Sequence, residues 1–165
     1  MQQRVFRSIL AVVLILAAAG CSGLRGRRAK QEPPAPQVSL SQVPEPARAT
    51  IERLTAGGTI QQIEKAQEGG RTVYDVEATL RDRDVEYDVA ADGTVLTSGQ
   101  TVPFDSLPIV IRAAAREYFG LEPVRKAFVE VEEGKTFYEI EARKGGKVVT
   151  VKLTDTGQIV EEENQ

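Results

Sequence analysis

The chain has 165 residues, 41% of them hydrophobic, with four Tyr, five Phe, one Cys, no Trp and no His. Its formal net charge is −3, but residues 39–165 hold 15 Lys+Arg against 23 Asp+Glu, a balance of −8. That acidity argues against nucleic acid, which calls for a basic stripe. The lack of His removes the commonest general base and most zinc sites.

The first segment reads as an export signal. Arg4 and Arg7 form a basic start, and an apolar run of 11 residues follows from Ile9 to Ala19. Gly20-Cys21 then stands where cleavage is expected. The run is too short to cross a bilayer core, which takes about 20 residues. Leu16-Ala17-Ala18-Ala19-Gly20-Cys21 resembles the bacterial lipobox, with Ala18 where Leu is most common. The resemblance implies cleavage after residue 20 and lipidation of Cys21: a diacylglyceryl thioether plus an N-acyl chain such as palmitate. A lone thiol would be awkward in an oxidising compartment, and thioether formation removes it. Ser22 is not the Asp that marks inner-membrane retention in enteric bacteria. In a diderm source, the outer membrane facing the periplasm is the expected location.

Residues 21–40 read as a tether. Arg25, Arg27, Arg28 and Lys30 suit either anionic headgroups or a solvated spacer. Glu32-Pro33-Pro34-Ala35-Pro36 is a semi-rigid extended run.

From there the chain overlays itself at a shift of 64 residues. Pro44 falls on Pro108, Gly70 on Gly134, Tyr74 on Tyr138, Glu77-Ala78 on Glu141-Ala142, and Gly93 on Gly157. Each copy opens with a Pro at a helix start, where a missing N–H costs nothing. Ala47, Ile51 and Leu54 then recur at helical spacing, as do Ile111, Ala115 and Tyr118. Four strand-like runs follow in each copy. Tyr74, Val76 and Ala78 alternate with Asp75, Glu77 and Thr79, and Tyr138, Ile140 and Ala142 with Glu139, Glu141 and Arg143. The expected fold is α+β: two tandem α-β-β-β-β repeats, residues 41–98 and 99–163. Each is an antiparallel four-stranded sheet with one helix on one face and water on the other. The copies, joined by about ten residues from Thr97 to Ser106, form either one continuous eight-stranded sheet or two units side by side. Glu161-Glu162-Glu163 reads as a frayed acidic tail.

The hairpin Glu-Gly-Gly-Arg-Thr-Val-Tyr-Asp-Val-Glu at 68–77 and the ending Tyr-Asp-Val-Ala-Ala-Asp-Gly-Thr-Val-Leu at 87–96 resemble the PepSY-like repeat. That family is also called the β-lactamase-inhibitor-like periplasmic domain. The second copy resembles it through Glu-Gly-Lys-Thr-Phe-Tyr-Glu-Ile-Glu at 133–141 and Asp-Thr-Gly-Gln-Ile-Val at 155–160. The resemblance spans nearly all of residues 43–163 and rests on turn and strand residues. It implies the fold, export, and a protein or peptide partner gripped by the open sheet face. The inhibitors that give the family its name use disulfides, which a single Cys cannot supply, so a β-lactamase target does not follow. On the open face, Val73, Glu77, Phe137, Glu141 and Arg143 are the expected partner-binding residues.

The sequence holds no recognisable catalytic set. None of the six serines sits in Gly-x-Ser-x-Gly, and no phosphate-binding Gly-x-x-x-x-Gly-Lys loop occurs. Asp82, Asp84, Glu86 and Asp88 alternate along one strand face, too spread to close on one ion. The sequence therefore points to a non-enzyme without metal or cofactor: an envelope lipoprotein that binds a protein or peptide. The alternative is a structural or sensory component that binds a small ligand or cation on its acidic face.

Overall fold

The computed structural model describes residues 35–164, so the signal segment, Cys21 and most of the tether lie outside the described residues. A 3-10 turn, Leu40–Gln42, leads into α1 (Glu45–Leu54) and then β1 (Thr59–Glu68), β2 (Arg71–Leu80), β3 (Arg83–Ala90) and β4 (Val95–Thr101). A second 3-10 turn, Phe104–Ser106, leads into α2 (Ile109–Phe119) and then β5 (Val124–Glu132), β6 (Lys135–Lys144), β7 (Lys147–Thr154) and β8 (Ile159–Asn164). The shift of 64 thus holds for both 3-10 turns and carries β2 onto β6 and β3 onto β7 without a gap.

All eight strands form one antiparallel sheet in sequence order, so the continuous arrangement is the one adopted. The halves join where β4 pairs with β5, from Thr97 opposite Glu132 to Thr101 opposite Phe128. Two-residue turns set the register of the hairpins. Gly69-Gly70, Arg81-Asp82, Glu133-Gly134 and Gly145-Gly146 all have positive φ. That is the twist-matched turn which antiparallel neighbours favour. Arg81 and Asp82 adopt it without glycine, at φ 51° and 63°.

Each helix starts after a proline. Pro44 and Pro108 are the N-caps, and their carbonyls accept from Arg48 and Arg112. One stripe of each helix is buried on the sheet: Ala47 and Ile51 from α1, and Ile111, Ala115 and Phe119 from α2. Tyr118, expected in that stripe, only packs partly against the core, and Phe119 takes the deep position. Beneath α1 lie Ile63, Tyr74, Val76 and Val89; beneath α2 lie Ala127, Ile140, Val149, Val151 and Leu153. Full burial of each such Ile, Leu or Val contributes about 1.5–3 kcal/mol.

Irregularities recur at the same shift. The register slips between Ile60 and Gln62 in β1 and between Val124 and Lys126 in β5. It slips again after Asp88 in β3 and after Lys152 in β7. Bulges of this kind change which side chains face the open side.

Three expectations need correcting. Pro36–Val38 is not free tether: Val38 N–H donates to Ile63 O at 2.9 Å and Lys65 N–H to Pro36 O at 3.0 Å, along the outer edge of β1. Thr97–Thr101 is not linker but the part of β4 that pairs with β5. Glu161–Glu163 is not a frayed tail but part of β8, because backbone pairing to β7 outweighs side-chain repulsion there.

Candidate functional site

The helices cover one side of the sheet, and the other side carries a field of charged groups set by the strand register. In the first half, Glu64, Asp75 and Asp88 stand side by side across β1, β2 and β3. Glu77 faces Glu86 in the next row, and Thr79 faces Asp84 beyond it. Strands about 4.8 Å apart hold like charges close together here. In the second half, Phe128 faces Glu139, Glu130 faces Phe137, Glu139 faces Lys152, and Glu141 faces Thr150.

The two halves differ in how these charges are balanced. Lys152 pairs with Glu130 and, at 3.1 Å, with Glu132, and its ammonium sits 4.8 Å from the Phe137 ring centre. Burial alone would lower the Lys152 pKa, but hydrogen bonds and charge from Glu130 and Glu132 drive it up instead. Arg125 reaches Glu141 at 3.4 Å and Lys126 reaches Glu86 at 3.7 Å. The repeat shift puts Asp88 where the second half has Lys152, and Gln62 where it has Lys126. The row Glu64–Asp75–Asp88 thus lacks the cation that its counterpart row holds.

Carboxyl groups in both halves are raised, with burial the first cause in each. Asp75 is pushed up to about 8, by burial first and then by Asp88, Glu86, Glu77 and Glu64. Glu86 rises to about 7 through burial, with Lys126 opposing. Asp88 rises to about 6 through burial, with a hydrogen bond from Thr97 opposing. Glu139 rises to about 8 through burial and then Glu130, with Lys152 opposing. Among the described residues no group of three or more His, Cys, Asp or Glu converges on a point that could hold a metal ion. The acidic groups form rows, not a cage.

All five expected partner-binding residues project from this side, but they do not converge. Val73 and Glu77 lie on β2; Phe137, Glu141 and Arg143 lie on β6, four strands away, at roughly 19 Å. Val73 is fully buried between Ala66 and Ala90, and Glu141 is buried beside Arg125, so neither is a free contact. Phe137 is half-buried, Glu77 is half-buried, and Arg143 is exposed at the far end of β6. Phe128 was missed. It lies over Gly99 in β4, where any Cβ would collide with its ring, and Lys126 approaches it at 5.1 Å. Glu64, Glu130 and Glu132 were missed as well. The bulges in β1 and β5 break the alternation that would have revealed them.

No known protein family and no curated protein matches the chain. Its backbone is similar to solved structures of low sequence identity. A candidate periplasmic protein from Bacteroides eggerthii superposes with a TM-score of 0.60 at 13% identity, covering 74% of this chain and 88% of that one. A DUF2874 family protein from Bacteroides uniformis gives 0.58 at 11%, covering 73% and 88%. A BLIP-like protein from Bacteroides fragilis gives 0.52 at 18%, covering 72% and 84%. The shared feature is the fold: an open antiparallel sheet with helices on one face.

Proposed function

We propose that the chain is a non-catalytic envelope lipoprotein, anchored through lipidated Cys21, that captures a protein or peptide on the open face of its sheet. The observation that carries this reading is the Glu64–Asp75–Asp88 row, a line of carboxyl groups with no ion-paired cation among the described residues, on a face that also holds the half-buried Phe137. Such a row suits a partner that brings Lys or Arg side chains, with the half-buried Phe137 supplying apolar contact. An enzyme of the envelope, such as a protease, is one partner of that description. The candidate periplasmic protein and the BLIP-like protein among the fold neighbours agree with an envelope setting and a binding role. No helix among the described residues is long and apolar enough to cross a membrane. The absence of a converging carboxylate cage among the described residues favours a protein over a bare cation.

The test is capture from envelope extract by the full-length lipoprotein, crosslinked in place, set against an Asp75→Lys/Asp88→Lys double variant. The partner recovered with the parent protein should be lost from the variant, while circular dichroism stays the same. Equal recovery from both would remove the acidic row from the binding surface.

A further inference from the structure

The two edges of the sheet are treated differently. The middle of the β1 edge is covered by the chain itself: Pro36, Gln37 and Val38 run antiparallel along Ile63–Lys65, and Gln37 Nε2 donates to Gln62 Oε1 at 2.6 Å. Nothing among the described residues pairs with the outer edge of β8. The internal repeat says what that edge is built to do. At the shift of 64, β8 corresponds to β4, and residues 161–164 correspond to 97–100. Thr97 to Gln100 is the stretch of β4 that receives β5, from Thr97 opposite Glu132 to Gln100 opposite Val129. The chain therefore uses this edge once internally and presents its copy, without a partner strand among the described residues, at the end of the sheet.

The side chains on β8 select the occupant. Glu161 and Glu163 face the open side, opposite Lys152 and Thr150 of β7. Lys152 is committed to Glu130 and Glu132, and no basic side chain among the described residues forms an ion pair with Glu161 or Glu163. A strand added antiparallel to β8 sets its own residues directly opposite these two positions, two apart and on one face. Like charges placed there repel and opposite charges attract.

We propose that the outer edge of β8 is a docking site, separate from the open face, for an extended segment of another protein with Lys or Arg at alternate positions. The segment joins as an additional antiparallel strand, with backbone pairing for affinity and the glutamates for selectivity. A second copy of this chain is a poor occupant. Antiparallel pairing of β8 with another β8 sets glutamates against glutamates, and the β1 edge equivalent to that of β5 is already occupied at Ile63–Lys65 by Pro36–Val38. The glutamates also keep uncharged strands from adding without discrimination.

Hydrogen exchange on the full chain, read by mass spectrometry, tests this with a short blocked peptide that alternates lysine and valine. The peptide should slow exchange in β8, and Glu161→Gln/Glu163→Gln should weaken its binding by at least about tenfold. N-methylation of alternate peptide amides should weaken it as much, because strand pairing needs those donors, and Asp75→Asn should leave it unchanged. Equal binding of the N-methylated peptide would reduce the contact to charge alone and overturn the proposal. Protection in β2 and β3 in place of β8 would move the site to the open face. Protection of β8 that grows with protein concentration, without peptide, would install a second copy there instead.

Discussion

Asp75 on β2 and Asp88 on β3 stand directly opposite each other, with Glu64 on the far side of Asp75. No cation among the described residues forms an ion pair with either aspartate, whereas the position equivalent to Asp88 in the second half is Lys152. This one exchange puts a third carboxyl in the row where the second half has an ammonium.

A pH dependence follows. Asp75 and Glu139 are pushed up to about 8, Glu86 to about 7 and Asp88 to about 6. Unfolded carboxyls titrate near 4. In each case the native state holds a proton longer than the unfolded state does. The stabilisation is therefore full below about 4 and is lost as pH rises through the folded values, between about 4 and 8. Melting temperature should fall over that window. Asp75→Asn should raise it at pH 8 and flatten the slope. Capture of a cationic partner should run the opposite way, strengthening from pH 6 to 8 as the row ionises. A melting temperature that climbs over the same window would contradict the assignment.

The seam between the halves depends on Gly99 and Phe128. A Cβ at position 99 would overlap the Phe128 ring. Gly99→Ala should therefore destabilise the fold, and Phe128→Ala should cost about 3–5 kcal/mol. In the Phe128→Ala background, the added methyl should cost much less. Additive losses in a denaturant-melt double-mutant cycle would show that the two residues do not share this contact.

Phe137 is half-buried, with the Lys152 ammonium over its ring. It lies off the β4–β5 seam, which Phe128 occupies. Phe137→Ala should then weaken partner capture by at least about 1 kcal/mol with little change in melting temperature. A lower melting temperature with capture intact would make Phe137 a packing residue only.

Under the proposed lipoprotein reading, Cys21 holds the protein at the membrane. Cys21→Ala should release it from membranes or leave the signal segment attached. Mass spectrometry of the mature form should find Cys21 at the N-terminus with its lipid; a different N-terminal residue would contradict the lipoprotein reading.

Much of the fold was legible because it is written twice. Pro44 and Pro108, the glycine turns, and the alternation from Tyr74 to Ala78 and from Tyr138 to Ala142 each had a counterpart 64 residues away. The buried set Ile51, Val76, Val89, Ala115, Ile140 and Leu153 followed from those patterns. The first strand of each copy was harder to read, because a bulge interrupts its period and hides Glu64 and Phe128. Glu161–Glu163 looked like tail because charge dominates its composition, although β7 supplies the backbone partners that order it. The pairing of Lys152 with Glu130 and Glu132 spans strands that are distant in sequence, so no local pattern could announce it.

Site-specific photocrosslinking in living cells tests the central claim most directly. A photoreactive side chain placed at Glu77, on the open face, is compared with one at Glu52, exposed on α1. The account expects a discrete protein adduct from position 77 and none from position 52. The same adduct from position 52, with none from position 77, would put the partner on the helix side and contradict binding by the open sheet.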